Sequence, residues 1–82
     1  MGSRRDGGFA EYVAVPIWNL IPLPNDISYT SAAMLEPLAV ALHAIKIGCV
    51  KKGDNVAIIG TGMIGISAGQ WALKYGATLV SR

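Results

Sequence analysis

The chain has 82 residues and a mass of 8.6 kDa, which is one small domain or part of a larger one. It is 52% hydrophobic and 15% charged, with ten glycines and a mean hydropathy of +0.45, a composition that excludes a disordered chain. A single cysteine excludes an internal disulfide and a four-cysteine zinc site, and a net charge of +2 without a basic run excludes the electrostatic footprint of a nucleic-acid binder.

Residues 1–8 are polar and glycine-bearing. They lack the apolar run of a secretory signal, so a cytoplasmic setting is the default expectation. Phe9 to Val15 is aromatic and β-branched and predicts a strand ended by Pro16. Asn19 to Leu23 predicts a second extended piece. Pro22 and Pro24 confine it to an edge or a turn, because proline cannot donate to a ladder. Pro24-Asn25-Asp26 has the chemistry of a turn.

Ser28 to Ile47 is helical in composition, with Ser28 or Thr30 placed to cap it. Pro37 predicts a break at Glu36 and a restart with Pro37 near the first helical position. Leu38, Ala41, Leu42 and Ile45 then repeat as one core face, and Gly48 closes the helix. Cys49 reads as a small buried hydrophobe.

Lys51 to Asp54 is a charged turn. Val56 to Ile59 is an apolar run of the buried parallel-strand type. After the glycines that follow, Ile64, Ala68, Trp71, Ala72 and Tyr75 share one helix face. Gly76 suits the position just past a helix, and Thr78 to Val80 begins another strand. Val56 to Leu73 carries no charge and approaches the length of a membrane span. Its internal glycines and its division into strand, turn and amphipathic stretch oppose that reading.

Gly60-Thr61-Gly62-Met63-Ile64-Gly65 has the form GxGxxG, directly after a strand and opening a helix. In that context Gly60 permits the tight turn, Gly62 admits a pyrophosphate to the backbone, and Gly65 lets the helix approach the strand. The diphosphate would rest on free N–H groups at the helix start. The alternative is a packing turn with no ligand. The acidic residue that grips the adenosine ribose is expected about 20 residues on, past Arg82.

Glu36 lies in the apolar stretch MLEPLAVALHA. A carboxylate there would call for a partner such as a metal or its bound water, unless it caps the helix and faces solvent. His43 is seven residues on, about 10 Å along the axis, too far to share one metal through adjacent turns.

GGFAEYVAV, LEPLAVALHA, KKGDNVAIIGTGMIG and QWALKYGA occur here in the order found in the polyol branch of the zinc-dependent medium-chain dehydrogenases, which the chain resembles over essentially its whole length. The resemblance implies an α/β fragment joining the end of a GroES-like catalytic β-domain (1–27), through connecting helices (28–52), to the first β-α-β unit of a Rossmann dinucleotide-binding domain (53–82). It implies NAD(P)-linked oxidation of a secondary alcohol of a polyol or polyol phosphate to a ketone, with a catalytic zinc. NAD is the expected cofactor, with NADP left open. By the same resemblance Glu36 lies at the zinc, as ligand or through water, and serves catalysis. Gly60, Gly62, Met63, Ile64 and Gly65 hold the cofactor. Arg4 and Arg5 lie toward a sugar-phosphate substrate, which suits arginine; the alternative is two solvated side chains. A small-molecule substrate, no nucleic acid, no membrane and a homo-oligomeric full-length enzyme complete the expectation. The family's upstream cysteine and His-Glu zinc ligands and its cysteine-rich structural zinc loop have no counterpart in these residues. Two alternatives are a non-catalytic nucleotide-binding module and an inactive truncated product.

Overall fold

The computed structural model describes residues 2–81. Four helices or strands carry its packed part: α2 (Leu35–Ile47), β1 (Asn55–Ala57), α3 (Met63–Lys74) and β2 (Leu79–Ser81), preceded by the single-turn α1 (Tyr29–Ala32). β1 and β2 pair in parallel, with Val56 opposite Val80. α3 is the crossover between them and packs on β2 and on α2. The strand–turn–helix–strand order expected at residues 53–82 is therefore present.

Small residues make the core. The buried hydrophobic residues are Ala41, Ile45, Ala72 and Ala77, and no large side chain is fully buried among the described residues. Ile45 of α2 joins Ala72 and Ala77, with Val50, Val56, Ala68, Trp71 and Val80 packed around them. On α2 the expected face holds: Ala41 and Ile45 are buried, and Leu38 and Leu42 half-buried. On α3 the middle of the expected face, Ala68, Trp71 and Ala72, turns inward, but Ile64 and Tyr75 at its ends are exposed. The inward stripe is centred instead on Gly65, Gly69 and Ala72, at i, i+4 and i+7. Gly69 faces the sheet: a Cβ there would meet Ile58 Cδ1 at 3.4 Å and Val80 Cγ1 at 3.5 Å, ordinary packing distances.

Both long helices end in the same way. Past α3, Gly76 takes φ +94°, its N–H donates to the Leu73 carbonyl, and the Ala77 N–H donates to the Ala72 carbonyl. That is a Schellman ending with its usual apolar contact, here Ala77 on Ala72. Past α2 the same two bonds run from Cys49 to Lys46 and from Val50 to Ile45. Gly48 keeps right-handed helical angles, and Cys49, at φ +53°, occupies the left-handed position. Gly48 therefore does not make the turn, and Cys49 is exposed rather than buried.

Pro37 does not break the helix at Glu36. Glu36 is helical, and the break falls earlier, at Ala33 and Met34, between α1 and α2. A proline ring clashes with the carbonyl four residues before it, which here is that of Ala33, while a missing N–H in a first helical turn forfeits no bond. Ser28 caps α1 as expected, its Oγ accepting from the Ser31 N–H at 3.1 Å. Tyr29–Ile47 would pass by length and composition for a membrane crossing, but the turn at Ala33–Met34 divides it and α2 packs against α3. The window Val56 to Leu73 is likewise divided, into β1, a turn and α3.

The segment before Ser28 departs most from expectation. Phe9 to Val15 forms no strand. A strand is stable only when a neighbour satisfies its backbone, and the described residues offer this one no partner. Ile17–Asn19 is a 3₁₀ turn and Leu20 onward is unpaired extended chain, ending in the expected turn, where the Ile27 N–H donates to the Pro24 carbonyl. The apolar run 56–59 is not buried on both faces either: Val56 and Ile58 are half-buried, Ala57 and Ile59 exposed. Only α3 covers the sheet.

The shape follows. The radius of gyration is 16.0 Å, against about 12 Å for a compact domain of this length. The accessible surface is 6920 Å², against about 4,700 Å² for a compact folded chain of this mass.

Candidate functional site

The glycine turn sits between the end of β1 and the start of α3. Gly60, three residues past the end of β1, has φ +110°, a conformation other residues rarely adopt. Gly65 is forced by contact: a Cβ there would overlap the Gly60 carbonyl oxygen and lie 3.0 Å from the Gly60 carbonyl carbon. The helix thus crosses directly over the turn that launches it. Gly62 differs in kind. Its backbone is extended, and nothing lies within 4 Å of where its Cβ would be. No intramolecular contact requires a glycine at that position, whereas an approaching ligand would.

Gly62 is also the residue preceding α3, and it brings no side chain to cap the helix. The first N–H groups of a helix lack internal acceptors, and here they carry the positive end of a twelve-residue dipole. Thr61, Gly62, Met63 and Ile64 are exposed, so the start of the helix is open to solvent. An anion with several oxygens, such as a diphosphate, fits this cradle without moving a side chain.

α2 runs beside α3 and is tied to it. The Trp71 indole Nε1–H donates to the Leu38 carbonyl at 3.1 Å, and Lys74 Nζ stands 5.6 Å from the Trp71 ring centre. Beside the two helices lies an open groove of about 640 Å³, walled by Met34, Leu38, Met63 and Ile66, with Ser31 of α1, Ser67 and Gln70 as its polar groups. Met63 belongs both to the groove and to the glycine turn. Sequence reading missed this groove and the tryptophan bond. A tryptophan two turns beyond a glycine motif gives no sign of a partner on another helix.

Glu36 is exposed in the first turn of α2, so its surroundings do not desolvate its carboxylate as the apolar sequence suggested. Leu35, itself half exposed, and Met34 leave it open to solvent. His43 is exposed on the same helix. Among the described residues no three of His, Cys, Asp and Glu come together. A catalytic zinc takes three protein ligands, and Glu36 alone does not make such a site. Arg4 and Arg5 are exposed; Arg5 lines a shallow hollow with Asp6, Tyr12 and the 13–16 backbone, apart from the glycine turn.

Comparison with known proteins finds relatives across almost all of the chain. Galactitol 1-phosphate 5-dehydrogenase of Escherichia coli is 48% identical over 83 residues, covering 99% of this chain and 23% of that enzyme. Sorbitol dehydrogenase of Halalkalibacterium halodurans is 42% identical over 80 residues, 98% of this chain and 23% of the relative. An uncharacterized zinc-type alcohol dehydrogenase-like protein of Haemophilus influenzae is 36% identical over 77 residues, 94% and 22%. The chain thus spans about a quarter of the length of the curated relatives it matches. No family model matches the chain, and no solved structure matches it.

Proposed function

By sequence the chain belongs with the zinc-type alcohol and polyol dehydrogenases, its homologues over nearly its whole length, and from that premise we propose that it carries the dinucleotide-binding turn of an NAD(P)-dependent dehydrogenase acting on a polyol or polyol phosphate. One observation carries the reading: Gly62 is a glycine that nothing inside the chain demands, at the mouth of a helix whose donors are free. When bound, NAD(P)⁺ supplies the hydride acceptor. The chain's own part is to hold it. Gly60 turns the backbone, Gly65 brings α3 down over the strand, and the N–H groups from Gly62 to Ile64 take the diphosphate oxygens. Ile64, exposed at 43%, and Met63 offer apolar surface beside them.

Zinc does not fit the described residues, among which no three of His, Cys, Asp and Glu come together. Glu36 stands as one exposed carboxylate in the first turn of α2, and a metal centre would need ligands in addition to it. Arg4 and Arg5 remain the chain's cations toward an anionic substrate. A cytoplasmic location and a homo-oligomeric enzyme belong to the same proposal.

The test is a segment exchange. The aligned segment of the E. coli galactitol 1-phosphate 5-dehydrogenase is replaced by this chain, and turnover with NAD(P)⁺ is measured. The proposal expects the chimera to retain dehydrogenase activity and expects Gly62→Val in it to raise the cofactor KM by about tenfold or more, the scale of the anion contacts at a helix start. A chimera that turns over with its cofactor KM unchanged by Gly62→Val would overturn the assignment of the turn.

A further inference from the structure

We propose that two copies of the 82-residue chain form a closed dimer, in which Phe9–Val15 of each copy adds as a strand to the free edge of β1 in the other. β1 has β2 on one side only. The Thr78 N–H donates to the Asp54 carbonyl. By the two-residue period of the ladder, the backbone groups of Asn55 and Ala57 then point to the other side, and no described turn or loop bonds them. Such an edge is a template for a further strand, and proline or charge ordinarily guards it. Asn55 to Ile59 contains neither, and Ile59 is fully exposed.

The strand to fill it is in the same sequence. Phe9 to Val15 has strand chemistry, and its residues enter no described hydrogen bond. Its alternation fits the edge. Val56 and Ile58 are half-buried on the α3 side of the sheet, while Ala57 and Ile59 are on the open side. Ala10, Tyr12 and Ala14 form one uncharged face of an extended 9–15, and Glu11 lies on the other. The register that sets Tyr12 beside Val56 and Ile58 therefore leaves Glu11 in water. Within one copy the segment and the edge stay apart, so the pairing falls to a second copy. Residues 16–28 contain no α-helix or strand and reach up to about 40 Å when extended, enough to cross to a neighbour. Reciprocal exchange about a two-fold axis satisfies both edges at once and closes at two copies. The area suffices. Phe9 and Tyr12, both exposed, can each withdraw about 150–250 Å² from water. Twice over, with two strand pairings, this reaches the roughly 1,200–2,000 Å² of a stable interface.

The experiment is sedimentation of the chain over a concentration series, with amide hydrogen exchange at its two ends. The chain should be monomeric in the low micromolar range and dimerise with a Kd on the order of 100 µM, because two segments must be ordered on pairing. Residues 9–15 and 55–59 should gain protection together, and only in the concentrated sample. Val13→Pro removes a ladder donor outside the packed part and should raise the Kd by about tenfold or more, with an unchanged far-UV circular dichroism spectrum. Trp18→Ala removes an exposed ring outside the strand and should change the Kd by less than about twofold. A monomer at every concentration up to about 1 mM would overturn the proposal. So would a Kd indifferent to Val13→Pro, or an equal loss in the two variants, which would mean unspecific apolar contact. Protection of 9–15 in the dilute sample would put the strand on its own β1, and growth beyond two copies would mean open pairing; either result contradicts the closed exchange.

Discussion

Residues 2–28 and residues 35–81 are both apolar in composition, yet they behave oppositely. The first region holds Phe9, Tyr12, Ile17 and Trp18, all exposed, and up to Ile27 its hydrogen bonds among described backbone groups each join residues three apart. The second region is built on alanine and glycine and is where the core lies. Large apolar side chains therefore do not make a core by themselves. Burial needs a facing surface, and in this chain the facing surfaces are the small-residue stripes of α3 and α2. The total surface, about 2,200 Å² in excess of a compact chain, shows how much of the chain is left without one, and the excess is larger than a standard protein–protein interface.

The sharpest way to break this contrast is at the level of turnover. The isolated chain is expected to oxidise no polyol, because the reacting groups are not held together in it. The segment-exchange chimera should be active. NADH production by the isolated chain would contradict the account. Next in size is Glu36→Gln in the chimera, where the flanking enzyme would supply the further ligands that a metal centre needs; it should lower turnover by about 10- to 100-fold, the range seen for groups that orient a metal centre. Glu11→Gln, in the unpaired region, should leave the rate unchanged. Equal rates for the two variants would return Glu36 to a solvated helix residue.

Stability separates the regions next. Gly65→Ala forces a Cβ onto the Gly60 carbonyl and should cost about 1–3 kcal/mol in urea unfolding. Phe9→Ala, which removes a fully exposed ring, should stay within about 0.5 kcal/mol. The smallest effects compare the two helix endings. Gly76→Ala meets both a positive φ and the Lys52 Cα at 3.0 Å, and should cost about 1–2 kcal/mol. Cys49→Gly relieves the same conformation where a cysteine holds it, and should gain about 0.5–1 kcal/mol. A loss at Cys49→Gly would mean that the thiol contributes more than the backbone strain costs.

What was legible in the sequence was local. The glycine turn, the α2 face of Leu38, Ala41, Leu42 and Ile45, the Ser28 cap and the Gly76 ending each depend on neighbours within a turn or two of chain. What was illegible depended on distant partners. Phe9 to Val15 has strand chemistry without a strand to pair with. Ile64 and Tyr75 fit the helical period but lie beyond the reach of α2 and the sheet. The break before Pro37 moved to Ala33 because the proline's clash acts four residues upstream, and the left-handed turn fell to Cys49 because the hydrogen-bond pattern places it one residue past Gly48. For the site, the turn was readable from its spacing, whereas the groove and its tryptophan tie needed α2 and α3 brought side by side.

The central claim is that a dinucleotide lies on the Gly60–Gly65 turn. Amide hydrogen exchange of the chain, read by mass spectrometry with and without saturating NAD⁺, addresses it directly. The account predicts new protection concentrated in 60–66, with 9–15 exchanging freely in both states. Protection appearing around Arg5 to Val15 instead, or none at 60–66 under saturation, would contradict it.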